Sequence, residues 1–151
     1  MGTASTLFAA AAVCLITAGT VGSMAREQSP DPQAACAAQA DAAFAQLGRE
    51  SREVLERIQV PFDITGLDYQ AHYSGKIDRC LLLVRKTVSI LRASSGTSYL
   101  IAAADRRMYA LYIDMDGRME TCALIPSLAE STTCKDRGEF DAFVAGYMSE
   151  R

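Results

Sequence analysis

His72 and Ser74 stand two apart in "AHYS", the spacing that places two side chains on one face of a strand, where an imidazole could take a proton from a hydroxyl. His72 is the only histidine of the chain, the residue type most used as a general acid or base near neutral pH. A hydrolase reading would begin with this pair. The surrounding signatures are missing: there is no G-x-S-x-G elbow, no H-E-x-x-H helix and no glycine-rich phosphate loop ending in Lys-Ser or Lys-Thr. The expectation is a structural histidine, with His72 and Ser74 held as the catalytic alternative.

"IDMDGRME" offers a second chemistry. With Gly117 at position six of a calcium loop, Asp116 and Asp114 fall at five and three, but Tyr112 and Ala123 stand at one and twelve, where carboxylates are required. The same residues lie between two strand-like runs, and Asp-Gly is a strong hairpin signal because both residues tolerate positive φ. A turn is expected, with Met115 paired to Arg118 in a two-residue loop or Asp114 to Arg118 in a bulged one. Met115 and Met119 could ligate copper(I) by soft thioethers, yet methionine as strand filler is the stronger reading. No metal site and no cofactor is expected.

The cysteines point to staples. Cys14 lies in the first 25 residues, leaving Cys36, Cys80, Cys122 and Cys134 beyond them, an even number that suggests two disulfides. Zinc is disfavoured, since no C-x-x-C pair exists and His72 is remote from every cysteine in sequence. Of the three possible pairings, Cys122 with Cys134 and Cys36 with Cys80 is preferred, because the first closes the short segment "ALIPSLAESTT" and could return a strand end to a helix start.

Composition bounds the rest. The chain has 151 residues, half of them hydrophobic, a net charge of -3 and a pI near 5.1, which suits one domain with a filled core and supplies no basic field for nucleic acid. Residues 1–25 carry no charged side chain, and Leu7 to Ala18 has the length of a signal h-region. Ser23 and Ala25 in "SMA" suit a signal peptidase, so cleavage is expected after Ala25. Two other readings of this end are an uncleaved membrane anchor and, from the M-G-x-x-x-[ST] pattern of "MGTAST", myristoylation at Gly2. Periplasmic or secreted localisation follows, and contact with a membrane only if residues 1–25 remain.

The elements that must position these residues follow from period and punctuation. A mobile start at 26–31 leads to Asp31 as N-cap and Pro32 as first helical residue of a helix reaching about Ile58, with Phe44, Leu47, Val54, Leu55 and Ile58 near one face and Gly48 a point where it could bend. "PFDITGLD" reads as a loop. "YQAHYS", "RCLLLVRKTVSIL", "SYLIA", "RMYALYI" and "METCALI" read as strands, with "GKID" and "ASSGTS" between them. "CLLLV" suggests a strand buried on both sides. Asp136 and Glu139 form a D-x-x-E cap before Phe140, Phe143, Val144 and Tyr147 at helical spacing. The expected fold is a single α+β domain over 26–151: an N-terminal helix, an antiparallel sheet of four to five strands with one face covered by the helices, and a C-terminal amphipathic helix.

"HYSGKIDRCLLLV", "MYALYIDMDGRMETC" and "CKDRGEFDAFVAGYM" together resemble small exported bacterial proteins in which a Tyr-containing strand, a Cys-bearing strand and a C-terminal Cys plus Glu-Phe helix recur. The resemblance covers about half of the chain, from His72 onward, and implies a similar exported fold without bringing an activity. The functional expectation is a non-catalytic binding or structural module of the bacterial envelope, recognising a protein or a cell-envelope component through the hairpin around Tyr109, Tyr112 and Met115. The alternatives are a small hydrolase centred on His72 and a membrane-anchored accessory subunit.

Overall fold

The computed structural model describes residues 31–57 and 61–149. The expected signal segment 1–25 with its cleavage site, the Gly2 pattern, Cys14, Ile58 and the mobile start up to residue 30 lie outside the described residues.

Helix α1 (Pro32–Arg57) begins where capping chemistry places it: Asp31 accepts a hydrogen bond from the Gln33 N–H at 3.0 Å, and Pro32 occupies the first turn, where its missing N–H costs nothing. The helix runs through Gly48 without a break. Its seat differs from the expected stripe. The buried side chains are Cys36, Ala40 and Ala43, with Phe44 and Leu47 partly covered, whereas Val54 is 58% exposed. Small residues let the first half of α1 approach the sheet closely, whereas in the second half Leu47 and Leu55 are only partly covered and Val54 points outward.

Six strands follow: β1 (Phe62–Ser74), β2 (Arg79–Ile90), β3 (Ala93–Ala102), β4 (Met108–Met115), β5 (Arg118–Ser127) and β6 (Glu130–Thr132), forming an antiparallel meander in chain order. This is one or two strands more than expected, the addition being β6, inside the segment closed by Cys122 and Cys134. Two strands also start earlier. "PFDITGLD" is strand from Phe62 onward, with a register shift between Ile64 and Gly66 absorbing the irregularity, and "ASSGTS" is the first part of β3.

Helix α2 (Arg137–Met148) closes the chain. Asp136 accepts from the Glu139 N–H at 2.9 Å, and the Glu139 carboxylate accepts in return from the Lys135 N–H at 2.8 Å, one residue before the cap. Phe140, Val144 and Tyr147 are buried.

The helices lie on opposite faces, correcting the expectation that both cover one. In β2, Cys80, Leu82 and Val84 pack with α1, while Leu81 and Leu83 pack with Phe140, Val144 and Tyr147 of α2. This is why "CLLLV" shows no alternation: each side chain meets a helix whichever way it points. Cys36–Cys80 bonds α1 to β2, and Cys122–Cys134 bonds β5 to the approach of α2, as preferred from spacing. Such bonds fit an oxidising compartment. Among the described residues no helix is long and apolar enough to cross a membrane.

Candidate functional site

The residues singled out in sequence do not gather into one site. His72 and Ser74 share the α2 face of β1, as their spacing requires, for His72 pairs across the ladder with Leu81 of the α2-side core. Ser74 is wholly buried, so its hydroxyl cannot meet a substrate in this conformation. His72 is half-buried, and its Nε2 lies inside without a hydrogen-bond partner among the described residues.

The expected hairpin surface is likewise divided. Tyr109 stacks on Tyr147 and Tyr112 on Phe140, each with ring centroids 5.5 Å apart, which puts both tyrosines beneath α2. Arg137 seals Tyr112 from outside, its guanidinium 4.9 Å from the ring centre and donating to Ser98 Oγ and Asp141. Met115 is half-buried at the end of β4. The tyrosines are therefore core and not contact surface. Asp114 and Asp116 diverge: the first lies over Gly96, and the second turns back to accept from the Ser94 N–H at 2.8 Å. Asp116 and Gly117 have φ of 50° and 76°, with Met115 paired to Arg118, which is the two-residue form of the turn.

The feature best suited to binding is one the sequence reading passed over, the outer edge of β1. The Tyr73 N–H points out of the sheet and donates to the Gln33 side chain of α1 at 2.9 Å. Its ladder partner Cys80 correspondingly turns its carbonyl to Ala103 of the β3 side. By the alternation of an antiparallel ladder, Leu67, Tyr69 and Ala71 also present N–H and C=O outward. Among the described residues nothing bonds these groups, while Gln33 caps the row at one end and the shift at Ile64/Gly66 interrupts it at the other.

Beside this row α1 leaves a groove of about 580 Å³, floored by Ala45, Gly48, Ile64 and Leu67 and rimmed by Arg49, Arg52, Glu53 and Glu56. Gly48 keeps the helix flank low: a Cβ there would stand 3.7 Å from Leu67 Cδ2. Glu53 approaches Arg57 at 3.9 Å, whereas Arg49 and Arg52 form no ion pair with any described residue. Toward Tyr69 the wall is fixed by the phenol, which donates to Asp41 and stacks on Phe44 with centroids 4.4 Å apart. That hydrogen bond to the carboxylate, more than burial, holds the Tyr69 pKa above its ordinary range. Small residues on one flank of α1, at Ala45 and Gly48, were the available sequence signal, but it acquires meaning only once β1 is known to be an edge.

An unpaired strand edge beside a helix-walled groove can bond an extended backbone and take alternate side chains. Comparison with family models, curated proteins and solved structures gave no match.

Proposed function

We propose that this chain is a non-catalytic binding module of the bacterial envelope, exported to an oxidising compartment, which takes an extended segment of a partner protein as a further strand beside β1. The open row Leu67, Tyr69, Ala71 along the α1 groove carries this reading. Export is supported by the charge-free residues 1–25 and by the two disulfides.

Each added backbone bond contributes about 0.5–1.5 kcal/mol net, so three residues of pairing give weak binding that side chains in the groove must supplement. The test titrates the oxidised domain with alternating Thr-Val nonapeptides and follows amide hydrogen exchange. Protection of Leu67, Tyr69 and Ala71 is expected. Gly48→Leu should abolish it by filling the groove, while the helix is stabilised by up to about 1 kcal/mol. No protection of those amides at millimolar peptide would refute the reading.

A further inference from the structure

We propose that Lys86 is a covalent site for small aliphatic aldehydes, its amine taking the carbonyl carbon as an imine. The site lies on the opposite flank of α1 from the β1 groove and does not depend on strand addition.

Lys86 follows Val84 by two on β2, so its side chain leaves the sheet on the α1 side. There it enters a cavity of about 230 Å³ walled by Leu47, Glu50, Ser51, Val54 and Leu55, which recur at three- and four-residue spacing along one side of the helix. Three of these five are aliphatic. The lysine is half-buried, and its amine forms no hydrogen bond or ion pair with any described residue.

The charges around it are committed or face away. Glu50 gives its two carboxylate oxygens to Arg106, at 2.9 and 2.7 Å. The ladder partners of Lys86 are Leu67 and Thr97, neither of them charged. Arg85 and Asp68 pair with each other on the α2 face. Burial, uncompensated by any of these groups, holds the Lys86 pKa below the ordinary lysine value. A desolvated lysine against an apolar wall is the setting that supplies a neutral amine, the nucleophilic form. Lys76 and Lys135, the other lysines of the chain, are both exposed.

In the capture, the nitrogen lone pair of the neutral amine adds to the carbonyl carbon, and the carbonyl π pair moves to oxygen, which takes up a proton. The resulting carbinolamine loses its hydroxyl and the nitrogen-bound proton as one water, leaving a C=N bond. Amine and aldehyde thus give imine and water, with nothing oxidised or reduced. Leu47, Val54 and Leu55 would hold the alkyl chain, which favours an aliphatic aldehyde over a charged one.

The experiment treats the oxidised domain at neutral pH with limiting butanal and cyanoborohydride, which reduces each imine to a stable butyl-lysine, and maps the product by peptide mass. Lys86 should be alkylated roughly threefold or more faster than Lys76 or Lys135. Ser51→Asp supplies the missing carboxylate and should slow Lys86 to the rate of the other two, whereas Ser51→Asn, similar in shape and uncharged, should keep the preference. A thermal midpoint near that of the wild type confirms that each variant is folded. In concentrated guanidinium the preference should vanish. Equal rates at the three lysines of the native wild type, or Lys86 the slowest, overturn the proposal. A preference that survives Ser51→Asp or guanidinium also overturns it, because the reactivity would then owe nothing to the cavity.

Discussion

The carboxylate of Asp114 lies where Gly96 would carry a side chain: a Cβ built on Gly96 stands 3.0 Å from Asp114 Cγ and closer still to an oxygen. The two are ladder partners on β3 and β4. The obstructing group is the far end of a rotatable side chain, so Gly96→Ala should cost less than about 1 kcal/mol, with Asp114 swinging outward. In an Asp114→Ala background the same change should stabilise by about 0.5–1 kcal/mol, because glycine weakens a strand interior. A double-mutant cycle in urea reads the difference, and strict additivity would show that the two residues do not compete for the space.

Leu91 turns β2 into β3 at φ 58° and is 78% exposed. A side chain with a Cβ resists this conformation by about 1 kcal/mol or more. Leu91→Asn should raise the urea midpoint by an equivalent of up to about 1 kcal/mol and reduce apolar surface at the tip. An unchanged or lowered midpoint would mean that Leu91 makes a contact its exposure conceals.

At the β4–β5 hairpin, Gly117→Val should destabilise by about 1–2 kcal/mol, since a β-branched residue fits poorly at φ 76°. Added calcium should leave the thermal midpoint of the wild type unmoved, because Asp114 and Asp116 turn to separate partners. Saturable micromolar calcium binding lost in Asp116→Ala would contradict the turn assignment.

The two disulfides should differ in worth. They close separations of 44 and 12 residues, for which chain entropy gives about 4 and 3 kcal/mol respectively. The longer one also anchors the half of α1 that seats itself with alanines and has little apolar bulk of its own. Replacing Cys36 and Cys80 by serine should therefore lower stability more than replacing Cys122 and Cys134, and should release amide protection in α1 before α2. The reverse order, measured by hydrogen exchange, would count against this account.

Asp105 accepts from the Arg107 N–H at 3.1 Å and from the Arg79 guanidinium at 2.6 Å, and these bonds, in that order of effect, hold its carboxyl below the ordinary carboxylate value. A depressed carboxyl pKa adds stability above the unfolded value, near pH 4, and loses it as pH falls through the folded one. The stability gap between wild type and Asp105→Asn should be constant at pH 6 to 7 and shrink below pH 4. A gap that widened in acid would refute the assignment.

What could be read in advance depended on whether the signal was local. Asp31–Pro32, Asp116–Gly117 and the Asp136 to Tyr147 run carry their geometry within a few residues, and all three were legible. The β2–β3 turn was not, for Leu91 and Arg92 are not turn formers, and the serines and Gly96 that follow mimic a loop while being strand. The unbroken burial of Leu81 to Val84 already held the answer to helix placement, since a strand covered on both sides needs a layer on each. Tyr109 and Tyr112 misled as a contact surface because a strand tyrosine looks the same in sequence whether a helix covers it or not. The β1 groove was invisible for a related reason: edge status belongs to the sheet and not to any residue in it.

The bonded cysteines are neighbours in chain order, Cys36 with Cys80 and then Cys122 with Cys134. A chain delivered amino end first to an oxidant would present the members of the first pair before either member of the second appeared. Among these four, simple order of arrival would select the native partners, so bonding in that order would need no later reshuffling. A denatured, reduced chain reoxidised all at once has no such calendar, and would have to choose among three pairings by folding alone.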